Sequence, residues 1–126
     1  MVEDGSYKGL IVWQKSIILV RLVYRLTANF PSEEKFGLIS QIRRAAVSIP
    51  SNIAEGQARR TTGDYLRFVS IAEGSLAELD TQLIIAIDLG FCANAQATEL
   101  FGLITEIRKM LNALRRRLVA KPARTD

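Results

Sequence analysis

Leu100, Ile104, Ile107, Leu111, Leu114 and Leu118 follow one another at alternating steps of four and three residues. That spacing lays all six side chains along one stripe of an α-helix, the seam of a helix bundle. Three other segments carry stripes of the same kind. The first runs from about Leu10 to Asn29. In it Trp13, Ile17, Val20 and Tyr24 form one stripe, Val12, Leu19, Val23 and Leu26 a second, and Ile11, Ile18 and Leu22 a third. The second runs from Ser32 to about Ala58, with Phe36, Ile39, Ile42, Ala46, Ile49 and Ile53 as its buried stripe. The third carries Tyr65, Phe68, Ala72, Leu76, Leu79, Leu83 and Ala86. No strand pattern competes with these helices.

The residues between the stripes mark where helices stop and start. Pro31 pushes Phe30 out of the α region and ends the first helix. Ser32, Glu33 and Glu34 suit the start of the second, because acids favour the positive end of the helix dipole. Pro50 removes a backbone donor inside the second helix, so a kink is expected near residues 46–50. A break, with Ser48 capping a new helix, is the alternative; the apolar spacing that continues through Pro50 favours the kink. Gly56 and the run Arg59–Gly63 predict a turn, with Thr61 or Thr62 capping the third helix and Asp64 in its first turn. Gly74 fits a place where two helix backbones approach closely. Leu89-Gly90 is a helix stop, and Asn94 can cap the fourth helix, which Lys121-Pro122 ends. Short connections make successive helices antiparallel. The expected fold is all-α: an antiparallel up-down-up-down four-helix bundle, one domain over residues 8–120, with flexible termini at 1–7 and 121–126.

Composition narrows the chemistry. The chain has 126 residues, no histidine and one cysteine. The commonest general base and metal ligand is therefore missing, and a lone Cys92 makes neither a zinc site nor an internal disulfide. There is no glycine-rich phosphate loop. Glu73 and Glu78 lie five apart and do not share a helix face. The chain is read as a non-enzyme with no cofactor and no metal. Ile17–Leu26 is interrupted by Arg21 and Arg25, so no membrane span is expected. The acidic start is no signal peptide, and a cytoplasmic location is expected.

Charge supplies the functional signal. Residues 1–67 carry 10 basic and 6 acidic side chains, residues 68–107 carry 6 acids and no base, and residues 108–126 carry 7 bases and one acid. Three clusters stand out: Arg43-Arg44; Arg59-Arg60 with Arg67; and Arg108-Lys109 with Arg115-Arg116-Arg117. Arginine outnumbers lysine 12 to 5, which suits bidentate phosphate contacts. Antiparallel helices would place Arg59, Arg60, Arg67 and Arg115–Arg117 at one end of the bundle. These ten cations are the candidate nucleic-acid-binding residues. A solvated helix face explains such runs equally well. Aromatic residues interleave with them only at Tyr65 and Phe68, near Arg67, so base stacking is not expected and backbone contacts are. Gln41, Arg44, Ser48, Asn52 and Glu55 point one way along the second helix. That strip is either a binding surface or, the favoured reading, a structural polar cluster of Ser48, Asn52 and Glu55 beside Pro50, with Glu55 also able to pair with Arg44 or Arg59. The first helix has only a narrow polar strip, Gln14, Arg21 and Arg25, so part of its apolar surface is expected to pack on another subunit. Ile11, Trp13, Ile18 and Leu22 are the candidate oligomer interface.

Four blocks in order, LIVWQK at 10–15, FPSEEKFGL at 30–38, QIRRAAVSIPSNIAEG at 41–56 and IAEGSLAEL at 71–79, resemble the bacterial four-helix-bundle family of the 23S rRNA intervening-sequence proteins. That family also includes the accessory protein of diversity-generating retroelements. The resemblance spans roughly residues 8–118. It implies a homopentamer with a basic surface and, in the retroelement branch, a reverse transcriptase and its RNA as partners. The expected partners are thus a second copy of the chain, RNA (favoured) or DNA, and a reverse transcriptase or another nucleic-acid enzyme, with no membrane. The alternative is an oligomeric scaffold or protein-interaction module that binds no nucleic acid.

Overall fold

The computed structural model describes residues 6–120 of the chain. Four α-helices make up the fold: α1, Ile11–Thr27; α2, Leu38–Gln57; α3, Thr62–Asp88; and α4, Asn94–Ala120. Each helix packs on its neighbour in the chain, and α1 closes the ring on α4, while the backbones of the diagonal pairs stay apart. Two cross-helix contacts fix the packing: Arg43 near the start of α2 reaches Thr27 and Tyr24 at the end of α1, and Arg115 near the end of α4 reaches Ser70 and Glu73 in the first half of α3. Leu19 and Val23 of α1, Ile42, Ile49 and Ile53 of α2, Leu76, Leu79 and Leu83 of α3, and Ile104, Ile107 and Leu111 of α4 meet in one buried core. Those are the inward stripes of the sequence, and their removal from water drives the assembly. No helix among the described residues is long and apolar enough to cross a membrane. Of the ends expected to be flexible, residues 1–5 and 121–126 lie outside the described residues; Ser6 instead caps a short 3-10 turn, Tyr7–Gly9.

The helix ends follow local chemistry. Thr61 caps α3, its hydroxyl accepting the Asp64 N–H at 3.1 Å. At the other end Gly90 takes a φ of 80°. Its N–H reaches the Ile87 carbonyl at 3.0 Å and that of Phe91 reaches Ala86 at 2.9 Å, the paired bonds of a Schellman stop. α2 is one continuous helix through Pro50, so the break is not realised. Cys92, in the turn after Gly90, is buried, and burial pushes its thiol above the ordinary range.

Five local expectations need correction. α2 does not start at Ser32: residues 32–34 form a separate 3-10 turn, and the helix begins at Leu38, whose N–H is received by the Glu34 carboxylate at 3.2 Å. Phe36 therefore precedes the helix and is 90% exposed instead of joining the buried stripe. Gly56 lies inside α2 and is buried, not in the turn. A Cβ on it would meet Phe68 Cβ at 2.9 Å and Tyr65 Cδ1 at 3.0 Å, whereas a Cβ on Gly74 would meet nothing. The close approach falls at Gly56, where α3 crosses the end of α2, and Gly74 faces open space. Asn94 is the first residue of α4 and not its cap; Gln96 instead receives the Ala93 N–H on its side-chain oxygen at 2.7 Å.

Candidate nucleic-acid interface

The ten candidate cations divide into two groups by what holds them. Arg43 turns back onto α1. Its Nε donates to Thr27 Oγ1 at 2.9 Å and its guanidinium lies 4.4 Å from the Tyr24 ring centroid. Arg59 pairs with Glu55 at 2.6 Å, and Arg67 faces Asp64 at 4.0 Å. Both also flank the Phe68 ring, at 4.7 Å and 5.1 Å. Arg115 pairs with Glu73 and donates to Ser70 at 2.8 Å. These four cations serve the fold as well as its surface. The exposed pairs contribute little to stability because water screens them.

Arg44, Arg60, Arg108, Lys109, Arg116 and Arg117 are different. All are exposed, and no hydrogen bond or ion pair holds them among the described residues. Arg108, Lys109 and Arg116 recur at steps of seven and eight residues along the outer face of α4. Arg117 borders the patch where α1 begins, next to Leu10, Ile11 and Leu114. Arg60 shares the α2–α3 turn with Arg59 and Asp64. The contacts of Arg115 with α3 put the end of α4 beside the first half of α3, near that turn. Arg43 and Arg44 stand apart from it, toward the start of α2; about 15 residues of helix at 1.5 Å each separate Arg44 from Arg59.

The polar strip of α2 also divides. Asn52 Nδ2 donates to the Ser48 carbonyl at 2.8 Å and to Ser48 Oγ at 2.9 Å. Ser48 Oγ shares a 2.7 Å hydrogen bond with Ser75 Oγ on α3, so this link ties two helices below Pro50. Glu55 does not join it and pairs outward with Arg59. Of the candidate interface residues, Ile11 is 60% and Ile18 39% exposed, while Trp13 and Leu22 are half-buried against the core. Trp13 also stacks edge-on with Tyr7 at 5.3 Å.

A feature hidden in the sequence is a groove of about 680 Å³ between the end of α1 and the start of α2. Tyr24, Lys35, Phe36, Arg43 and Arg44 line it, together with Ile39, Ser40, Val47, Ser48, Ser51 and Asn52 of α2. Lys35 Nζ lies 5.6 Å from the Phe36 ring centroid. Aromatic and cationic groups do meet here: Lys35 and Phe36 are adjacent in the chain, and Tyr24 joins them from α1.

The fold agrees with that of a similar protein of known structure. A family model described as 23S rRNA-intervening sequence protein matches residues 8–113. A crystal structure of a protein with unknown function from the S23 ribosomal protein family of Bacteroides thetaiotaomicron is 27% identical, covers 83% of this chain and 98% of that one, and superposes with a TM-score of 0.74. No curated protein matches the chain.

Proposed function

The chain belongs to the 23S rRNA-intervening sequence protein family, and from that premise we propose that it is a non-catalytic homo-oligomer that binds nucleic acid, RNA above DNA, or assists a nucleic-acid enzyme. The observation that carries this reading is the set of six exposed cations that form no ion pair among the described residues. Unpaired arginines on a helix face attract phosphates and release counterions when they bind them. The exposed Ile11 and Ile18 of α1 support self-association, and the family resemblance sets the expected number of subunits at five.

A scaffold reading has the basic α4 of one subunit meeting the acidic α3 of the next. Arg115 and Glu73 already satisfy each other within one chain, which removes that pair from such a contact. The two readings part on salt. Size-exclusion chromatography with light scattering, with and without a mixed RNA and duplex-DNA pool, is expected to show comigration at low salt that is lost at high salt while the oligomer persists. A scaffold would ignore both nucleic acids and loosen as salt rises. The informative variant keeps Arg115, which holds α3, and replaces Arg108, Lys109, Arg116 and Arg117 with glutamine. Its log–log salt slope is expected to fall by about three units. An unchanged slope would remove α4 from the interface.

A further inference from the structure

We infer that the α1–α2 groove holds an unpaired base of a single-stranded nucleic acid, with its base on the Phe36 ring and its phosphate between Lys35 and Arg44. The inference rests on the nucleic-acid reading above and names the form of the ligand. Phe36 is a large apolar ring left 90% exposed at the mouth of a groove that falls in the usual size range for ligand clefts. The Lys35 ammonium approaches that ring, which leaves ring surface for a second flat partner. Arg44, at the same groove, has no partner of its own among the described residues. Arg43 does not compete for the phosphate, because Thr27 and the Tyr24 ring hold its guanidinium. An exposed aromatic ring beside exposed cations is the platform on which single strands stack, and each stacked base adds to affinity with little regard to sequence. A base inside a duplex cannot offer its face to such a ring. The positive rim also sets the sign of the occupant: a polyanion fits, and a basic peptide does not.

The test uses the full chain and an RNA oligonucleotide carrying one 2-aminopurine, single-stranded or annealed to its complement, at low salt. Binding of the single strand to the parent protein is expected to change the 2-aminopurine emission. Phe36→Ala is expected to keep its fold, because the ring is exposed, to bind the single strand roughly five-fold or more weakly with the emission change lost, and to bind the duplex as before. The Lys35→Gln, Arg44→Gln pair is expected to lower the salt slope by roughly one to two units and keep the emission change. If Phe36→Ala binds the single strand like the parent, the groove is not the site, although nucleic-acid binding itself stands. If the parent binds neither form, the nucleic-acid reading fails and this inference with it. If Phe36→Ala changes the number of subunits instead of the affinity, the groove is a contact between copies and the inference is overturned.

Discussion

Gly56→Ala is expected to destabilise the bundle by about 1–3 kcal/mol, the usual cost of forcing one extra carbon into a packed contact. Helix propensity alone argues the reverse, since alanine is favoured over glycine by about 1 kcal/mol inside a helix. The packing decides. The new methyl would lie 2.9 Å from Phe68 Cβ, 3.0 Å from Tyr65 Cδ1 and 3.3 Å from the Tyr65 carbonyl. Two of those atoms belong to the stem of a side chain or to backbone, so relief means moving α3 against α2. Gly74→Ala is the matched control. Its methyl meets nothing within 4 Å, and the substitution is expected to add up to about 1 kcal/mol. Urea unfolding of the two variants should therefore move in opposite directions. A Gly56→Ala protein as stable as the parent would show that the α2–α3 crossing is looser than these distances.

The second large effect is expected at Leu79, which is fully buried in α3 and faces the shared core. Leu79→Ala removes buried methyl groups and leaves a cavity that four packed helices cannot easily close, at a cost of about 2–5 kcal/mol. For a domain of this length that corresponds to a melting temperature lower by roughly 10 °C or more. Ile84, on the same helix and 54% exposed, is the comparison: Ile84→Ala should stay within about 0.5 kcal/mol. Because oligomer formation would add to apparent stability, both melts belong at one protein concentration. Equal losses at the two positions would mean that Ile84 is also covered, by a neighbouring subunit.

The helices were legible because burial repeats with the period of the helix. The stripes of α3 and α4 point inward as their spacing predicts, and Thr61 and Gly90 act where turn chemistry places them. The failures share a cause. Phe36 stands three residues before Ile39 and so fits the α2 stripe, but the backbone at Gly37 leaves helical geometry, with φ −107° and ψ −114°, and the phase is lost. Gly56 and Gly74 look alike in sequence; only the crossing of α3 over α2 distinguishes them. The cationic clusters were visible as residue types. Which of them the fold holds was not, because Arg115 finds Glu73, and Arg43 finds Tyr24, across helix pairs. The groove was not legible because Tyr24 of α1 and Arg43 and Arg44 of α2 reach the adjacent Lys35 and Phe36 only in the folded chain.

The closed ring of helices has one seam unlike the others. Contacts between α1 and α2, α2 and α3, and α3 and α4 form between segments that a short turn already holds together, so their loop-closure entropy is small. Only the α1–α4 contact, marked by the Lys15–Glu106 ion pair at 3.1 Å, joins the two ends of the described chain. Most of the topological cost of folding is therefore concentrated in that single closure. The α2–α3 hairpin, the most extensive helix pairing, forms early in this scheme and the α1–α4 seam last. Amide exchange is expected to reflect that order, with opening along α1 and α4 at lower free energy than around Gly56. The same seam carries the exposed isoleucines of α1, so the part of the fold slowest to close is also the part that a second subunit would cover.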